Sequence, residues 1–296
     1  MQKLYGLVEA GGTKFNLGVA RSKDEVMDVT RIPTTTPPET IAAMIDWFGM
    51  RSAEFGAFTA IGVASFGPLQ LDRTASDWGY ITNTPKPGWA NTDLAGPLIR
   101  AFGCDVAVDT DVNGAALAEY HWGAGAGGRN VVYLTVGTGI GGGAIVNGEI
   151  LHGRSHPEMG HMFVAPHPQD TDFSGICPAH GTCLEGLASG PAIIKRWGMS
   201  LSESPPDHGG RQIIAYYLAQ AVCNLQSILE PDRIIMGGGV MESDGLIEIL
   251  REQAVKMGGG YFVSDAAAII QPPMLESKAG LLGALALAER LTRSAN

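Results

Sequence analysis

The same short pattern occurs twice in this chain, about half a chain apart. Leu4–Val8 reads as a strand, Glu9-Ala10-Gly11-Gly12-Thr13-Lys14 as a glycine turn, and Phe15–Ala20 as a second strand. Val131–Val136, the glycine run 137–143 and Ala144–Asn147 repeat that order. A third strand-like piece, a helix and further α/β elements follow each copy. Two glycine-tipped hairpins at equivalent places of a repeated unit predict a duplicated α/β domain with a cleft between the halves. The rest of the pattern fits. Pro38–Met50 reads as a helix with Ile41, Met44, Ile45 and Phe48 on one face, as do Thr92–Phe102, Asn113–Trp122, Gln212–Leu229 and Ala279–Leu291. Ala60–Ala64, Asp105–Val108 and Asp232–Met236 read as buried strands.

The 41 glycines among 296 residues have no period, so collagen is excluded, and they gather after apolar runs, where backbone must approach a ligand closely. A net charge of −10 argues against nucleic-acid and anionic-membrane partners, because both need clustered cations. It does not exclude a nucleotide held by backbone amides and Mg²⁺. No run reaches the roughly 18 apolar residues of a membrane span. The chain opens directly into strand pattern, and a cytoplasmic location is expected.

Four features carry chemistry. At the tip Gly11-Gly12-Thr13-Lys14, consecutive N–H groups can form a concavity for phosphate oxygens; most such turns are only turns. Gly137-Thr138-Gly139 offers the same, and Gly237-Gly238-Gly239 is a further turn that exposes backbone. Neither hairpin is a P-loop, since no Gly-Lys-Ser/Thr runs into a helix. Asp111 stands where a strand passes into a helix, a position equally suited to a substrate-facing carboxylate and to a plain helix cap.

The fourth feature is the stretch from Pro157 to Glu185. Cys177, His180 and Cys183 have spacing for one soft ion, and His161 is the natural fourth ligand, with His152, His156 and His167 as alternatives. Cys₂His₂ is the donor set of a closed tetrahedral zinc site. Glu158 and Glu185 flank the ligands, so a metal would fix two carboxylates at a polar substrate pocket. The remaining cysteines, Cys104 and Cys223, lie in apolar surroundings and read as inert thiols. Trp78, Tyr80 and Trp89, in a Pro/Gly-rich loop, suit either the core or a sugar face.

Together these residues resemble the ROK family of sugar kinases, over nearly the whole chain. Glu9-Ala10-Gly11-Gly12-Thr13-Lys14 is similar to its first phosphate loop, and Val136–Gly143 to its second. Thr110-Asp111-Val112-Asn113 followed by Ala115–Glu119 is similar to its catalytic helix start. Glu158-x-Gly160-His161 and Cys183-Leu184-Glu185-Gly186 are similar to its sugar-and-zinc signature. Three departures stand out: Glu9 where Asp is common, Thr110 where Asn is common, and Cys177-x₂-His180 where Cys-x-Cys-Gly is common. With Thr82–Trp89 upstream, the zinc-loop variant is closer to the family's bacterial fructokinase branch than to its glucokinases.

The resemblance implies two RNase H-like (actin-like ATPase) domains flanking a cleft: 1–111 with a C-terminal helix at 280–296, and 112–279 with the zinc loop. It implies an ATP-dependent hexose kinase, most simply acting on O6 of fructose, with Asp111 as general base. The alternatives are a kinase for mannose, glucose or N-acetylmannosamine, and a sugar sensor of the same fold. The amides of Gly11, Gly12, Thr13, Gly137, Thr138 and Gly139 would hold phosphates, with Lys14 adding a charge. Gly237, Gly238 and Gly239 would admit the adenosine. Asn83, Asn113, Glu158, His161 and Glu185 would bind the sugar. His161, Cys177, His180 and Cys183 would hold a structural Zn²⁺, and Mg²⁺ would accompany ATP, through Glu9 or Asp111. A homodimer is typical of the family.

Overall fold

The computed structural model describes residues 3–293. The outermost residues of the expected ranges 1–111 and 280–296, namely 1–2 and 294–296, lie outside the described residues. Contacts divide the chain into two compact units: Met1–His121 with His152–His156 and Ser277–Asn296, and Trp122–Leu151 with Pro157–Glu276.

In the first unit the elements are β1 (Tyr5–Ala10), β2 (Lys14–Ser22), β3 (Glu25–Pro33), α1 (Pro37–Phe55), β4 (Ala60–Ser65), the short strands β5 (Tyr80–Ile81) and β6 (Thr92–Asp93), α2 (Ala95–Phe102), β7 (Asp105–Thr110) and α3 (Asp111–Trp122). The sheet runs β3-β2-β1-β4-β7. Its first three strands are antiparallel and β1, β4 and β7 are parallel. Alternation along β4 sorts the two faces. Ile61 and Val63 join a core with Met44 and Phe48 of α1 and Leu98 of α2. Gly62 faces the other way, where a Cβ would collide with the carbonyl of Ala284. Ala284 belongs to the C-terminal helix Ala279–Arg293, which packs on β1, β4 and β7.

The second unit contains β8 (Asn130–Val136), β9 (Ile140–Val146), β10 (Glu149–Ile150), α4 (Leu184–Ala188), α5 (Gly190–Trp197), α6 (Gly210–Leu229), β11 (Arg233–Gly237), α7 (Leu246–Gly258), α8 (Ala266–Ile269) and β12 (Ile270–Gln271); the C-terminal helix is α9. Its sheet runs β10-β9-β8-β11-β12, with β8–β9 and β9–β10 antiparallel and β8–β11 and β11–β12 parallel. Numbered by the strands of each five-stranded sheet alone, in chain order, the two orders are the same. The repeat seen in the sequence is a repeat of topology, and the mixed α/β class is as expected. Among the described residues no helix is long and apolar enough to cross a membrane.

The expected helix over 38–50 runs on to Phe55, and two further elements differ from the sequence reading. The expected helix over 92–102 begins at Ala95 instead, because the Asp93 carboxylate takes the N–H of Gly96 at 2.7 Å and Thr92–Asp93 pairs with Tyr80–Ile81. The expected seven-residue glycine tip is only three residues long, since β9 runs through Gly141, Gly142 and Gly143 in register with β8. Gly142 is a packing residue: a Cβ there would lie 2.7 Å from Met159 Sδ and 2.6 Å from a Leu134 methyl.

Candidate active site and metal centre

In the first unit, the turn between β1 and β2 is closed by the Gly11 N–H, which donates to the Lys14 carbonyl at 3.0 Å. Thr34 braces it from outside: its N–H donates to the Thr13 carbonyl at 3.0 Å and its hydroxyl to the Gly11 carbonyl at 2.7 Å. That leaves the Gly12 and Thr13 amides, with the exposed Lys14 side chain, as the groups this turn offers to an anion. Glu9, at the end of β1, accepts from Asn16 Nδ2 at 2.8 Å, and Asn16 Oδ1 accepts from Arg31 Nε at 3.1 Å. Arg31, Asn16 and Glu9 sit opposite one another on neighbouring strands, so the row crosses the sheet.

At the β7–α3 junction the capping of α3 falls to Thr110, whose hydroxyl accepts the Asn113 N–H at 3.1 Å. Asp111 stands at the head of the helix, half-buried, where the positive end of the helix dipole favours a carboxylate. Asn113 is fully buried and donates its side-chain amide to Asp109 at 2.7 Å. Its Oδ1 has no partner among the described residues. Asn83 is exposed on the loop before Trp89. Trp89 itself is core: it is fully buried, donates its indole N–H to the Thr35 carbonyl at 2.9 Å, and packs on Phe15 and Phe66. Trp78 is half-buried beneath the Arg73 guanidinium, 4.7 Å from its ring centre.

In the second unit, the Gly137 N–H closes its own turn on the Gly139 carbonyl at 2.8 Å, and the Gly137 carbonyl accepts the Gly190 N–H at 2.7 Å. The Thr138 and Gly139 amides are what this turn offers. Gly237-Gly238-Gly239 lies beside it, since the Val240 N–H donates to the Val136 carbonyl at 3.0 Å. Gly238, at φ +91, is pressed onto β8 so closely that a Cβ would be 2.5 Å from the Val136 oxygen, whereas Gly239 faces open space. Glu185 belongs to the same corner. Its Oε2 accepts the Ile140 N–H at 2.9 Å and lies against Gly139.

Glu185 is also the second residue of α4, which starts directly after Cys183. The four residues expected as metal ligands come together here. His161 ends a 3₁₀ turn (Met159–His161), and Cys177 and Gly181 exchange backbone hydrogen bonds around His180. Nδ1 of His161 is 3.5 Å from Cys183 Sγ and 3.7 Å from Cys177 Sγ, and His180 Nδ1 is 3.8 Å from Cys177 Sγ. All four donor atoms lie within 4.8 Å of one another. Tetrahedral zinc with bonds of about 2.0 to 2.3 Å needs donor–donor edges of about 3.5 Å, so the set fits a metal ion of that kind. Thiol ligands bind zinc as thiolates, so metal uptake at Cys177 and Cys183 would release protons. The other histidines are engaged elsewhere. His152 pairs with Asp109, His156 Nε2 accepts the Leu69 N–H at 3.1 Å, and His167 Nδ1 accepts the Gln169 N–H at 3.1 Å. Glu158 is exposed, one residue before the 3₁₀ turn, and its carbonyl accepts the His161 N–H at 3.0 Å.

Three features of this region were missed in the sequence reading. The loop between His161 and Cys177 is pinned by buried Asp170, which pairs with Arg196 Nε at 2.9 Å and accepts the Tyr217 hydroxyl at 2.7 Å. Burial is the main reason the Tyr217 phenol is pushed up to about 12. Gly186 permits a close approach, since a Cβ there would collide with the Gly181 carbonyl. The third is the Asp109–His152 pair. Asp109, in Asp109-Thr110-Asp111, carried the one available signal: a carboxylate on a buried strand needs a donor from elsewhere in the fold.

Comparison with known proteins identifies the family. The family model described as "ROK family" matches residues 5–291. The chain is 50% identical, over 97% of both chains, to a fructokinase of Zymomonas mobilis. It is 41% identical to a fructokinase of Lactococcus lactis, covering 98% of this chain and 99% of that one. Among solved structures it superimposes on a ROK hexokinase from Thermus thermophilus with a TM-score of 0.82 at 27% identity, covering 98% of this chain and 99% of the other.

Proposed function

The chain belongs to the ROK family, and on that premise we propose that it is an ATP-dependent hexose kinase that converts fructose to fructose 6-phosphate. The observation that carries the reading is Glu185. One side chain closes the second glycine turn through the Ile140 N–H, and it comes from the helix that starts directly after Cys183. The phosphate turn and the metal loop are therefore one mechanical piece, as a kinase that reads its sugar beside a metal loop requires. The fructokinase names of the two relatives support fructose as the sugar.

Phosphoryl transfer asks the protein for alignment and charge stabilisation more than for covalent chemistry. Asp111 accepts the proton of the attacking sugar hydroxyl as general base. With Gly11 and Gly137 N–H groups spent on closing their turns, the phosphates are left to the amides of Gly12, Thr13, Thr138 and Gly139, and to Lys14. Open space at Gly239 suits the adenosine, with Gly237 and Gly238 shaping the turn. Mg²⁺ supplies neutralising charge to the ATP phosphates, and Glu9 and Asp111 are the carboxylates on hand for it.

Glu158, His161, Glu185, Asn83 and Asn113 hydrogen-bond the sugar. His161 presents Nδ1 to the cysteines, so Nε2 is left for a sugar hydroxyl. His161, Cys177, His180 and Cys183 would hold a Zn²⁺ with four protein ligands, a donor set that suits a structural role. A cytoplasmic homodimer completes the proposal, with size-exclusion chromatography as the check on its assembly. The deciding experiment is a coupled ADP-release assay with Mg-ATP and fructose, mannose, glucose or N-acetylmannosamine on zinc-loaded protein. Turnover strongest with fructose is expected. Preference for another hexose overturns the substrate, and no turnover with any of them overturns the kinase.

A further inference from the structure

Asp109 is 3% exposed, yet it is a carboxylate placed two residues before Asp111. Its Oδ1 accepts the Thr110 N–H at 2.8 Å and Asn113 Nδ2 at 2.7 Å. It thus grips both sides of the junction at which β7 becomes α3, and Asp111 lies between the two gripped residues. Its Oδ2 accepts His152 Nε2 at 2.9 Å. A carboxylate moved out of water is costly unless it is both hydrogen-bonded and balanced by charge. Thr110 and Asn113 supply neutral donors only. His152 brings the third hydrogen bond and a side chain able to carry the charge.

His152 arrives from a separate part of the chain. The segment His152–His156 belongs to the first unit although it follows β10 of the second. It is held by two imidazoles, His152 on Asp109 and His156 on the Leu69 N–H. The His152 side chain remains 40% exposed, and its hydrogen bond to Asp109 raises its pKa against partial burial and against Arg290 of α9, which both lower it.

We propose that His152 is a positioning residue for phosphoryl transfer: paired with buried Asp109, it fixes the β7–α3 junction and through it the aim of Asp111. The inference rests on the kinase reading of the preceding subsection. It adds a residue that contributes neither to the metal cluster nor to the glycine turns. A raised histidine pKa means that the charged pair is complete below the folded-state value and is lost as pH rises through it, so kcat is expected to decline over that range. Asp109 from β7 and Arg290 from α9 are the charged groups that set that pKa.

The test compares wild type, H152F and H152Q, with fructose and Mg-ATP, across the histidine titration range. H152F, which removes both donor and charge, is expected to lower kcat about tenfold or more with both KM values within about twofold. H152Q keeps a donor without a titrating charge. It is expected to recover most of the low-pH loss and to show no decline at high pH. NMR titration of the His152 ring gives a readout independent of turnover, with a pKa above that of an exposed histidine that returns to ordinary in D109N. H152F with wild-type kcat, or an unshifted His152 titration, overturns the inference while the kinase stands. A wild-type enzyme inactive on every hexose overturns both.

Discussion

Gly160 lies against the carbonyl oxygen of Ile140 so closely that a Cβ on it would collide with that oxygen. The contact seats the 3₁₀ turn carrying His161 directly on β9, one residue from the turn that Glu185 closes. Gly160→Ala has no flexible side chain to displace, only backbone. Overpacking of this kind is expected to destabilise by on the order of 3 kcal/mol and to loosen the metal site. Thermal melts and zinc content of the variant check it; a wild-type Tm with full zinc would show that the turn can move away from β9 at little cost.

Cys183→Ser exchanges a thiolate for a poor zinc ligand at a position where Sγ is 3.5 Å from His161 Nδ1. Zinc is expected to be lost, with a lower Tm and weaker fructose binding, because Glu185 follows on the same short helix. Atomic absorption reads the metal and calorimetry the sugar. Removal of the metal from wild type with a chelator should reproduce the Tm shift. Retention of one equivalent of zinc in the variant would remove Cys183 from the ligand set.

Trp89 settles a choice that the sequence left open between core and sugar face. With its ring fully buried against Phe15 and Phe66, Trp89→Ala is expected to cost about 4 kcal/mol of stability. In whatever fraction stays folded, the fructose KM should be close to wild type. A selective rise in KM without a drop in denaturation midpoint would put the indole in the sugar pocket instead.

These cases also show what was legible beforehand and what was not. Strand and helix identity followed from periodicity, and the repeat of topology followed from two similar hairpins, because both are local patterns. The four candidate ligands were visible from spacing, since three of them lie within seven consecutive residues, 177–183. His161 was the natural fourth candidate there, but what sets His152 and His156 aside was not visible. It depends on Leu69 and Asp109, partners distant in sequence that already hold the two rivals. The extra glycines of the second tip misled for a similar reason: Gly142 is small because Met159 packs on it, which no local pattern records. The Asp170–Arg196–Tyr217 network was likewise hidden, its members being scattered over a loop and two helices.

Asp111→Ala is the sharpest test of chemistry, because Thr110 caps α3 through the Asn113 N–H and the substitution leaves that cap, taking from the helix start the Asp111 bond to the Val112 N–H. The substitution should therefore leave the fold and fructose binding measurable while removing the proton acceptor. A positioned general base contributes about 10² to 10⁴ in rate, and kcat is expected to fall by that factor. Asp111→Asn should fall as far, since the amide has the shape but not the basicity. Steady-state kinetics paired with fructose calorimetry separates the terms: a loss confined to kcat supports the base, whereas near-normal turnover in either variant would take Asp111 out of the reaction.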